Sequence, residues 1–194
     1  VYKRHPLSPT SRACRLQKHP RQSPPAQFQG RLARAQMDDL HVAPEDALAK
    51  AGAKVVAAAR RTDRLMELVD EIATFGGNAL PGALDVTDPE SVIKAIDTAE
   101  LELGPLHILV NNAGVTQPKM AIDVTEEDWN SVIGPNLRGS WRVAQETARH
   151  MKRLGHGGSI INIASILSFG VTRKLSTYAI SKSAVVQMQS IIHN

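Results

Sequence analysis

Residues 53–75, AKVVAAARRTDRLMELVDEIATF, contain two different hydrophobic patterns in direct succession. The first seven residues are almost wholly apolar and follow Gly52, which is typical of a strand buried on both faces of a parallel sheet. Residues 62–75 then repeat apolar side chains at helical spacing, and Thr62 is expected to cap that helix. A buried strand followed at once by an amphipathic helix predicts the first half of a βαβ unit.

The same alternation of strands and helices continues along the rest of the chain. Further strands are expected at 77–86 and 158–165, and residues 106–114 are expected to form a strand that runs into a turn. Further helices are expected at 88–103, 125–153 and 177–193. Strands that alternate with helices of this length form right-handed βαβ units. The sequence therefore predicts an α/β fold with a doubly wound parallel sheet, which is a Rossmann-like architecture.

The positive charge of the chain is concentrated at its beginning. Residues 1–36 hold eight of the 23 Lys and Arg residues and no Asp or Glu, so residues 37–194 carry a net charge of −4. Residues 37–194 are therefore not expected to form a basic surface that binds nucleic acid. The prolines and polar residues of the basic segment predict a disordered tail over 1–42 and disfavour a mitochondrial transit helix. The first methionine is Met37, so the tail has an alternative interpretation as untranslated or misframed sequence.

Cysteine usage and hydropathy exclude several classes of protein. Cys14 is the single cysteine, so neither an internal disulfide nor a multi-cysteine metal cluster is expected. The longest apolar runs, of roughly six residues, are far shorter than the roughly 20 residues that cross a bilayer. We therefore expect a cytoplasmic protein without a bound metal or a membrane partner.

Tyr178 and Lys182, in the stretch STYAISKSA (176–184), are the strongest candidates for catalysis. At i and i+4 they share one helix face, where an ammonium favours the phenolate of a tyrosine that exchanges a proton with an alcohol oxygen. Ser165 lies 13 residues earlier at the carboxyl end of a predicted strand, where its hydroxyl can orient a substrate carbonyl. The alternative for Tyr178 and Lys182 is a surface pair that arises by chance. The alternative to Ser165 as the polar partner is Ser168, ten residues before Tyr178.

Five short motifs extend this set. They are LDVTD (84–88), NNAG (111–114), NLRG (136–139), NIAS (162–165) and YAISK (178–182). In order and spacing, they make residues 43–194 similar to the short-chain dehydrogenase/reductase family. The resemblance implies that a nicotinamide cofactor transfers a hydride between an alcohol and a ketone, on a small-molecule substrate. It also implies a homo-oligomer for the intact protein.

The resemblance assigns roles to the candidate residues. It makes Tyr178 the general acid/base, and it gives Lys182 a second role at the nicotinamide ribose. Ser165 orients the carbonyl, and Asn136 supports a proton relay. We predict these four residues as the catalytic set.

The resemblance also implies a cofactor site. It places the adenine-contacting pair at Asp85 and Val86, with Asp85 as a helix cap the alternative. The turn Asn112, Ala113 and Gly114 would lie beside the adenosine half of the cofactor. The alternative is an ordinary tight turn, which Asn111 and Asn112 favour in any protein.

The residues after the first predicted strand indicate the cofactor preference. Relatives that prefer NAD carry an acid at the position of Ala59, where it binds the ribose 2′-hydroxyl. Alanine followed by Arg60 and Arg61 instead suits a 2′-phosphate, so NADP(H) is favoured over NAD(H). The alternative is that both arginines are ordinary surface residues.

The sequence departs from the family pattern in three places. No glycine lies between Gly30 and Gly52, where the family has its glycine-rich phosphate turn, although FQGRLA (28–33) resembles the lead-in to the first strand. A frameshift or misread exon between roughly 34 and 45 is our hypothesis for this difference. The chain ends 12 residues after Lys182, and Pro135 interrupts a predicted helix at a point where a kink would tolerate it.

We therefore expect residues 43–194 to form a partial reductase domain, with an altered first βα unit before it. The alternative is a catalytically inactive remnant that acts as a nucleotide-binding or oligomerisation module. A Ser-His-Asp hydrolase is disfavoured, because no G-x-S-x-G motif occurs. His107, His150 and His156 are expected to be ordinary surface or strand-end residues.

Overall fold

A computed structural model of the 194-residue chain describes residues 44–170 and 172–192, so the tail predicted over 1–42 lies outside the described residues. The strands are β1 (Lys54–Ala59), β2 (Asn78–Ala83), β3 (Ile108–Asn111) and β4 (Ser159–Asn162). The helices are α1 (Pro44–Lys50), α2 (Thr62–Thr74), α3 (Pro89–Leu103), α4 (Glu126–Ile133), α5 (Ser140–Arg153) and α6 (Ser176–Ile192). The predicted α/β alternation is confirmed.

The strands form two parallel pairs. β1 pairs with β2, with Lys54 opposite Asn78, and β3 pairs with β4, with Ile108 opposite Ser159. Within the described ranges, no strand lies between the two pairs. The segment expected to lead into the family's first strand, 28–33, falls outside those ranges.

Helix α2 begins differently from the prediction. Thr62 is its first helical residue and not its cap, and Arg61 at the cap position makes no side-chain hydrogen bond to the helix. Arginine has only donors, so it cannot accept from the free N–H groups of the first turn. Asp63 supplies the favourable negative charge in that turn instead.

The predicted helix over 125–153 is divided by a π-helical segment. α4 starts with a capping box in which Thr125 accepts from Asp128 N, and the π-helix Gly134–Gly139 then joins α4 to α5. Pro135 is at the start of that segment. Its missing N–H is therefore placed where the helical hydrogen-bond pattern already changes. The sequence implies that the cost of this proline falls if the helix is kinked at Asn136, and the π-helical segment contains Asn136.

The loop after β2 is held against α5. Val92 and Ile96 of α3 pack with Val143 of α5 in one buried cluster, which Val86 extends. A Cβ at Gly139 would lie 2.6 Å from Val86 Cγ2, so only glycine allows this close approach. Arg142 Nη1 donates to the carbonyls of Val86 and Thr87 at 3.1 and 2.9 Å.

His150 is buried, so the expectation that it is a surface or strand-end residue is wrong. The residue is only 1% exposed, and Nδ1 lies 2.8 Å from Glu100 Oε2 of α3. The reason is that α3 and α5 pack together with an acidic face of α3 against the end of α5. His107, just before β3, is exposed, and its ring stacks on that of His156 at 4.7 Å. In the described ranges, no helix has the length and apolarity needed to span a membrane.

Candidate active site

A cavity of about 290 Å³ lies where β3 and β4 end, beside the start of α6. Three segments contribute its lining: the turn after β3, the residues after β4, and the beginning of α6. The lining residues are Asn112, Gly114, Val115, Thr116, Ile163, Ala164, Leu175, Tyr178 and Lys182. The carboxyl ends of parallel strands are where open α/β folds bind their ligands.

Tyr178 and Lys182 both line this cavity. The Lys182 Nζ atom is 6.0 Å from the centroid of the Tyr178 ring. Lys182 is only 5% exposed, and its ammonium donates to the carbonyl of Ile163 at 2.7 Å. Burial lowers the pKa of Lys182 below its ordinary value, because desolvation penalises the charged form. A buried cation is thus held beside a phenol.

Asn136 is fully buried in the π-helix and connects the turn after β3 to α6. Its Oδ1 accepts from Val115 N at 2.7 Å, while Nδ2 donates to Val115 O at 2.9 Å and to Ser181 Oγ at 3.0 Å. Ser181 Oγ in turn donates to the Tyr178 carbonyl at 2.7 Å. The side chain of Asn136 therefore fixes Val115 of the cavity lining and the turn of α6 that bears Tyr178.

Ser181 is not among the residues predicted for the site from the sequence. It is fully buried, and its hydroxyl bridges Asn136 and the backbone of Tyr178. The sequence feature that could have indicated Ser181 is its position three residues after Tyr178, which places both residues on one side of the helix.

Gly114 marks a close approach between the turn and the candidate residues. A Cβ at this position would lie 3.4 Å from Lys182 Nζ and 3.6 Å from Asn136 Oδ1. Asn112 also lines the cavity and is exposed, whereas Ala113 between them is exposed but does not line it. Asn111 is buried and is more than a turn residue, because its Nδ2 donates to Ser140 O and to Asn162 Oδ1 at 3.0 and 2.9 Å.

Ser165 follows the cavity-lining residue Ala164 but does not itself line the cavity. It caps the short 3₁₀ helix Ile166–Ser168, and its Oγ accepts from Leu167 N at 3.2 Å. Ser168, the alternative partner, accepts from Ser165 N at 3.3 Å and so supports the same cap. Because Ser165 Oγ acts only as an acceptor in this cap, its hydroxyl hydrogen can still be donated to another group.

Four of the residues predicted to bind the adenosine end lie outside this cavity, whereas Asn112 and Gly114 of the turn predicted beside it line the cavity. None of Arg60, Arg61, Asp85 and Val86 is among its lining residues. Asp85 Oδ1 accepts from Thr87 Oγ and Thr87 N at 2.6 and 2.9 Å. These bonds, and then the charge of Arg60, hold the pKa of Asp85 below its ordinary value.

Asp88, and not Asp85, caps α3 by accepting from Glu90 N at 3.0 Å. The alternative role of Asp85 as a helix cap is therefore wrong. Within 44–170 and 172–192, no group of three or more His, Cys, Asp or Glu side chains is arranged to hold a metal ion.

Comparison with known families matches the same part of the chain. The model of the short chain dehydrogenase family matches residues 43–194. The range starts one residue before α1 and includes all four strands and the cavity. It also contains every candidate residue for catalysis and cofactor binding.

Curated relatives include several oxidoreductases. A 2-dehydro-3-deoxy-D-gluconate 5-dehydrogenase of Dickeya dadantii is 34% identical over 128 residues, which is 66% of this chain and 51% of that protein. An L-2,3-butanediol dehydrogenase of Corynebacterium glutamicum is 39% identical over 127 residues, covering 66% of this chain and 47% of that protein. The chain thus spans about half the length of these relatives.

Solved structures show the same similarity. A short-chain type dehydrogenase/reductase from Mycobacterium marinum is 38% identical with a TM-score of 0.74, and the match covers 76% of this chain and 59% of that one. A gluconate 5-dehydrogenase from Burkholderia cenocepacia, in complex with NADP and tartrate, is 36% identical with a TM-score of 0.67. That match covers 73% of this chain and 55% of the other.

Proposed function

Because this chain belongs to the short-chain dehydrogenase/reductase family, we propose that it interconverts an alcohol and a ketone with NADP(H). The observation that carries the proposal is that Tyr178 and the buried Lys182 line one cavity at the ends of β3 and β4. The oxidoreductase relatives support the class of reaction.

The chemistry of the cavity fits the nicotinamide end of the cofactor. An ammonium has three N–H donors, and the Ile163 carbonyl takes one of those of Lys182, which leaves two for the hydroxyl groups of a ribose. No carboxylate belongs to the described lining, so a phosphorylated ligand meets no adjacent negative charge there. When bound, the cofactor supplies or accepts the hydride, which no side chain can do.

Each candidate residue then has a distinct role. Tyr178 passes a proton to or from the substrate oxygen, and the Lys182 ammonium favours the phenolate that results. Ser165 uses its remaining hydroxyl hydrogen to orient the substrate oxygen. Asn136 supports the proton relay, and its three side-chain hydrogen bonds hold Val115 and the start of α6 in place.

The adenosine end is proposed from the remaining motif residues. Asp85 and Val86 would contact the adenine. The turn Asn112, Ala113 and Gly114 would lie beside the adenosine half where it joins the nicotinamide end, because Asn112 and Gly114 also line the cavity. Arg60 and Arg61 are exposed, and Arg60 is near enough to lower the pKa of Asp85 through its charge. A pair of guanidinium groups close to the adenine-contacting residues suits the 2′-phosphate of NADP(H).

The activity is tested first by titrating the purified chain with NADPH and following the nicotinamide fluorescence. We expect saturable binding and, with NADP⁺ supplied as the hydride acceptor, oxidation of alcohol probes such as 2,3-butanediol and gluconate, which are taken from the names of relatives. Tyr178→Phe should abolish turnover and leave NADPH affinity unchanged. A titration that shows no binding would overturn the active-enzyme proposal, and undiminished turnover in Tyr178→Phe would overturn the role of Tyr178.

The cofactor preference needs a separate test. Replacing both Arg60 and Arg61 by alanine should weaken NADPH about ten-fold to a hundred-fold, as the loss of charge-assisted hydrogen bonds predicts, and leave NADH unchanged. Arg64→Ala, at an exposed position on α2, is the matched control. Equal losses for the two cofactors would contradict the proposed preference.

A second candidate function is assembly of copies of the chain without turnover. Trp141 on α5 and Ile180 on α6 are large apolar side chains that are 39% and 49% exposed. These helices resemble those through which the family dimerises. Analytical ultracentrifugation should show a dimer that Trp141→Glu or Ile180→Glu dissociates, whereas Leu101→Glu on α3 should not. A monomeric wild-type chain would exclude this function.

A further inference from the structure

Lys182 and Gln189 lie on one face of α6, where Gln189 contacts β4 and Lys182 contacts the residue after it. They are seven residues apart, which is about two helical turns, so their side chains project in similar directions. Lys182 Nζ donates to the carbonyl of Ile163 at 2.7 Å, and Gln189 Nε2 donates to the carbonyl of Ile160 at 3.2 Å. The helix is therefore attached at two points along one strand.

The amide of Gln189 has a second partner on β4, which connects it to β3. Its Oε1 accepts from Asn162 Nδ2, and Asn162 Oδ1 accepts from Asn111 Nδ2 at 2.9 Å. Gln189 and Asn162 each accept on the amide oxygen and donate through the amide nitrogen, and Asn111 donates from Nδ2 to Asn162 and to Ser140 O, so the hydrogen bonds fix the orientation of all three side chains. The series crosses from α6 through β4 to β3.

The peptide that receives the Lys182 ammonium is held by the same strands. Ile163 N donates to the carbonyl of Asn111 at 2.9 Å, and Ile163 directly follows Asn162. The Ile163 carbonyl is the acceptor of Lys182 Nζ. A shift of α6 along β4 would therefore separate the ammonium from its acceptor and move it relative to the cavity.

We propose that Gln189 is a positioning residue for Lys182. Its bonds to Asn162 and to the Ile160 carbonyl fix α6 at the position along β4 where the ammonium donates to the Ile163 carbonyl. This inference rests on the proposed function only in treating Lys182 as a residue of the active site. Gln189 does not line the cavity around Tyr178, so it acts through the helix and touches no reacting atom.

The test measures the Lys182 ammonium directly, in the full chain labelled with ¹⁵N-lysine and without cofactor. The Nζ signal is assigned by its loss in Lys182→Arg, and its proton exchange with water is then measured. Gln189→Met keeps the length of the side chain but removes both hydrogen bonds. We expect the exchange to become about five-fold faster, the factor that corresponds to weakening one hydrogen bond by about 1 kcal/mol.

Gln187→Met is the matched control, because Gln187 is exposed on the same helix, and it should leave the exchange unchanged. If Gln189→Met lowers the folded fraction, Gln189→Asn, which is too short to reach both partners, should give the same acceleration in a folded chain. Unchanged Nζ exchange in either folded variant would overturn the proposal. Because the readout needs no NADPH, it stays informative when the cofactor titration is negative, and the two proposals can fail separately.

Discussion

Asn136 and Val115 form two hydrogen bonds with each other, in which Asn136 Oδ1 accepts from Val115 N and Nδ2 donates to Val115 O, at 2.7 and 2.9 Å. The side chain thus satisfies both backbone groups of one residue in the cavity lining. A third bond, to Ser181 Oγ at 3.0 Å, extends the connection to α6. One fully buried amide therefore sets the distance between the turn after β3 and the helix of Tyr178.

Replacing this amide should destabilise the chain strongly. Asn136→Leu has a similar volume but leaves the backbone groups of Val115 and the Ser181 hydroxyl without their partner. At about 1–3 kcal/mol for each unsatisfied buried group, we expect the free energy of unfolding to fall by about 3 kcal/mol or more. Urea denaturation measures this change. Asn130→Leu, at an exposed position of α4, should change stability by less than about 0.5 kcal/mol, and an equal loss there would contradict the argument.

Two glycines should respond in opposite ways to the same substitution. In Gly114→Ala the new Cβ would lie 3.4 Å from Lys182 Nζ, an ordinary contact, so stability should change little while NADPH binding weakens. In Gly139→Ala it would lie 2.6 Å from Val86 Cγ2, which should cost about 1–3 kcal/mol of stability. Thermal unfolding and NADPH titration of both variants check this. A stable Gly139→Ala chain would refute the claimed close packing.

Lys182 should make stability depend on alkaline pH. Burial lowers its pKa in the folded chain, so the unfolded chain binds this proton more tightly. Stability should therefore rise as the pH increases from the lowered pKa of the folded chain to the ordinary lysine pKa. At pH values below the lowered pKa, the full cost of burying the charged ammonium should remain. Lys182→Met should lack this rise. Urea unfolding from neutral to alkaline pH measures the free energy of unfolding of both proteins. If it changes with pH in the same way in the two proteins, the ammonium is not buried.

Asp128 should make the stability of the fold depend on pH in the acid range. Its hydrogen bonds, first with Lys119 and then with Thr125, lower its pKa to about 2. A carboxyl with a lowered pKa stabilises the fold above its unfolded pKa, and that contribution is lost as pH falls toward about 2. Asp128→Asn should be less stable at neutral pH and lose less stability on acidification. Glu127→Gln, an exposed neighbour, should behave like the wild type in the same acid titration.

The order of elements was predictable because it depends on local patterns. The apolar run before Arg60 and the helical spacing of Leu65 to Ile72 are properties of neighbouring residues, and both elements form where expected. The predicted ends were less accurate. Residues 106–114 were expected as a strand that runs into a turn, and the strand itself covers only Ile108–Asn111 before the chain turns toward Asn136.

The features that the sequence did not indicate depend on contacts between elements that are far apart in the sequence. The burial of His150 requires α3 and α5 to pack, and the role of Ser181 requires the π-helix to bring Asn136 against α6. The hydrogen bond from Lys182 to the Ile163 carbonyl likewise joins a side chain to a backbone group 19 residues away. Periodicity describes which face of an element is apolar, and it does not specify which atoms meet across an interface.

The division of the strands into two parallel pairs has a consequence for the order of folding. Lys54 pairs with Asn78, whereas Ile108 pairs with Ser159, so the second pair must close a chain segment about twice as long. Contacts between residues close in sequence form faster, so we expect the β1–α2–β2 unit to fold first. In pulse-labelling hydrogen exchange, amides of 54–59 and 78–83 should gain protection before those of 108–111 and 159–162. The walls of the cavity would then be the last part of the described chain to assemble.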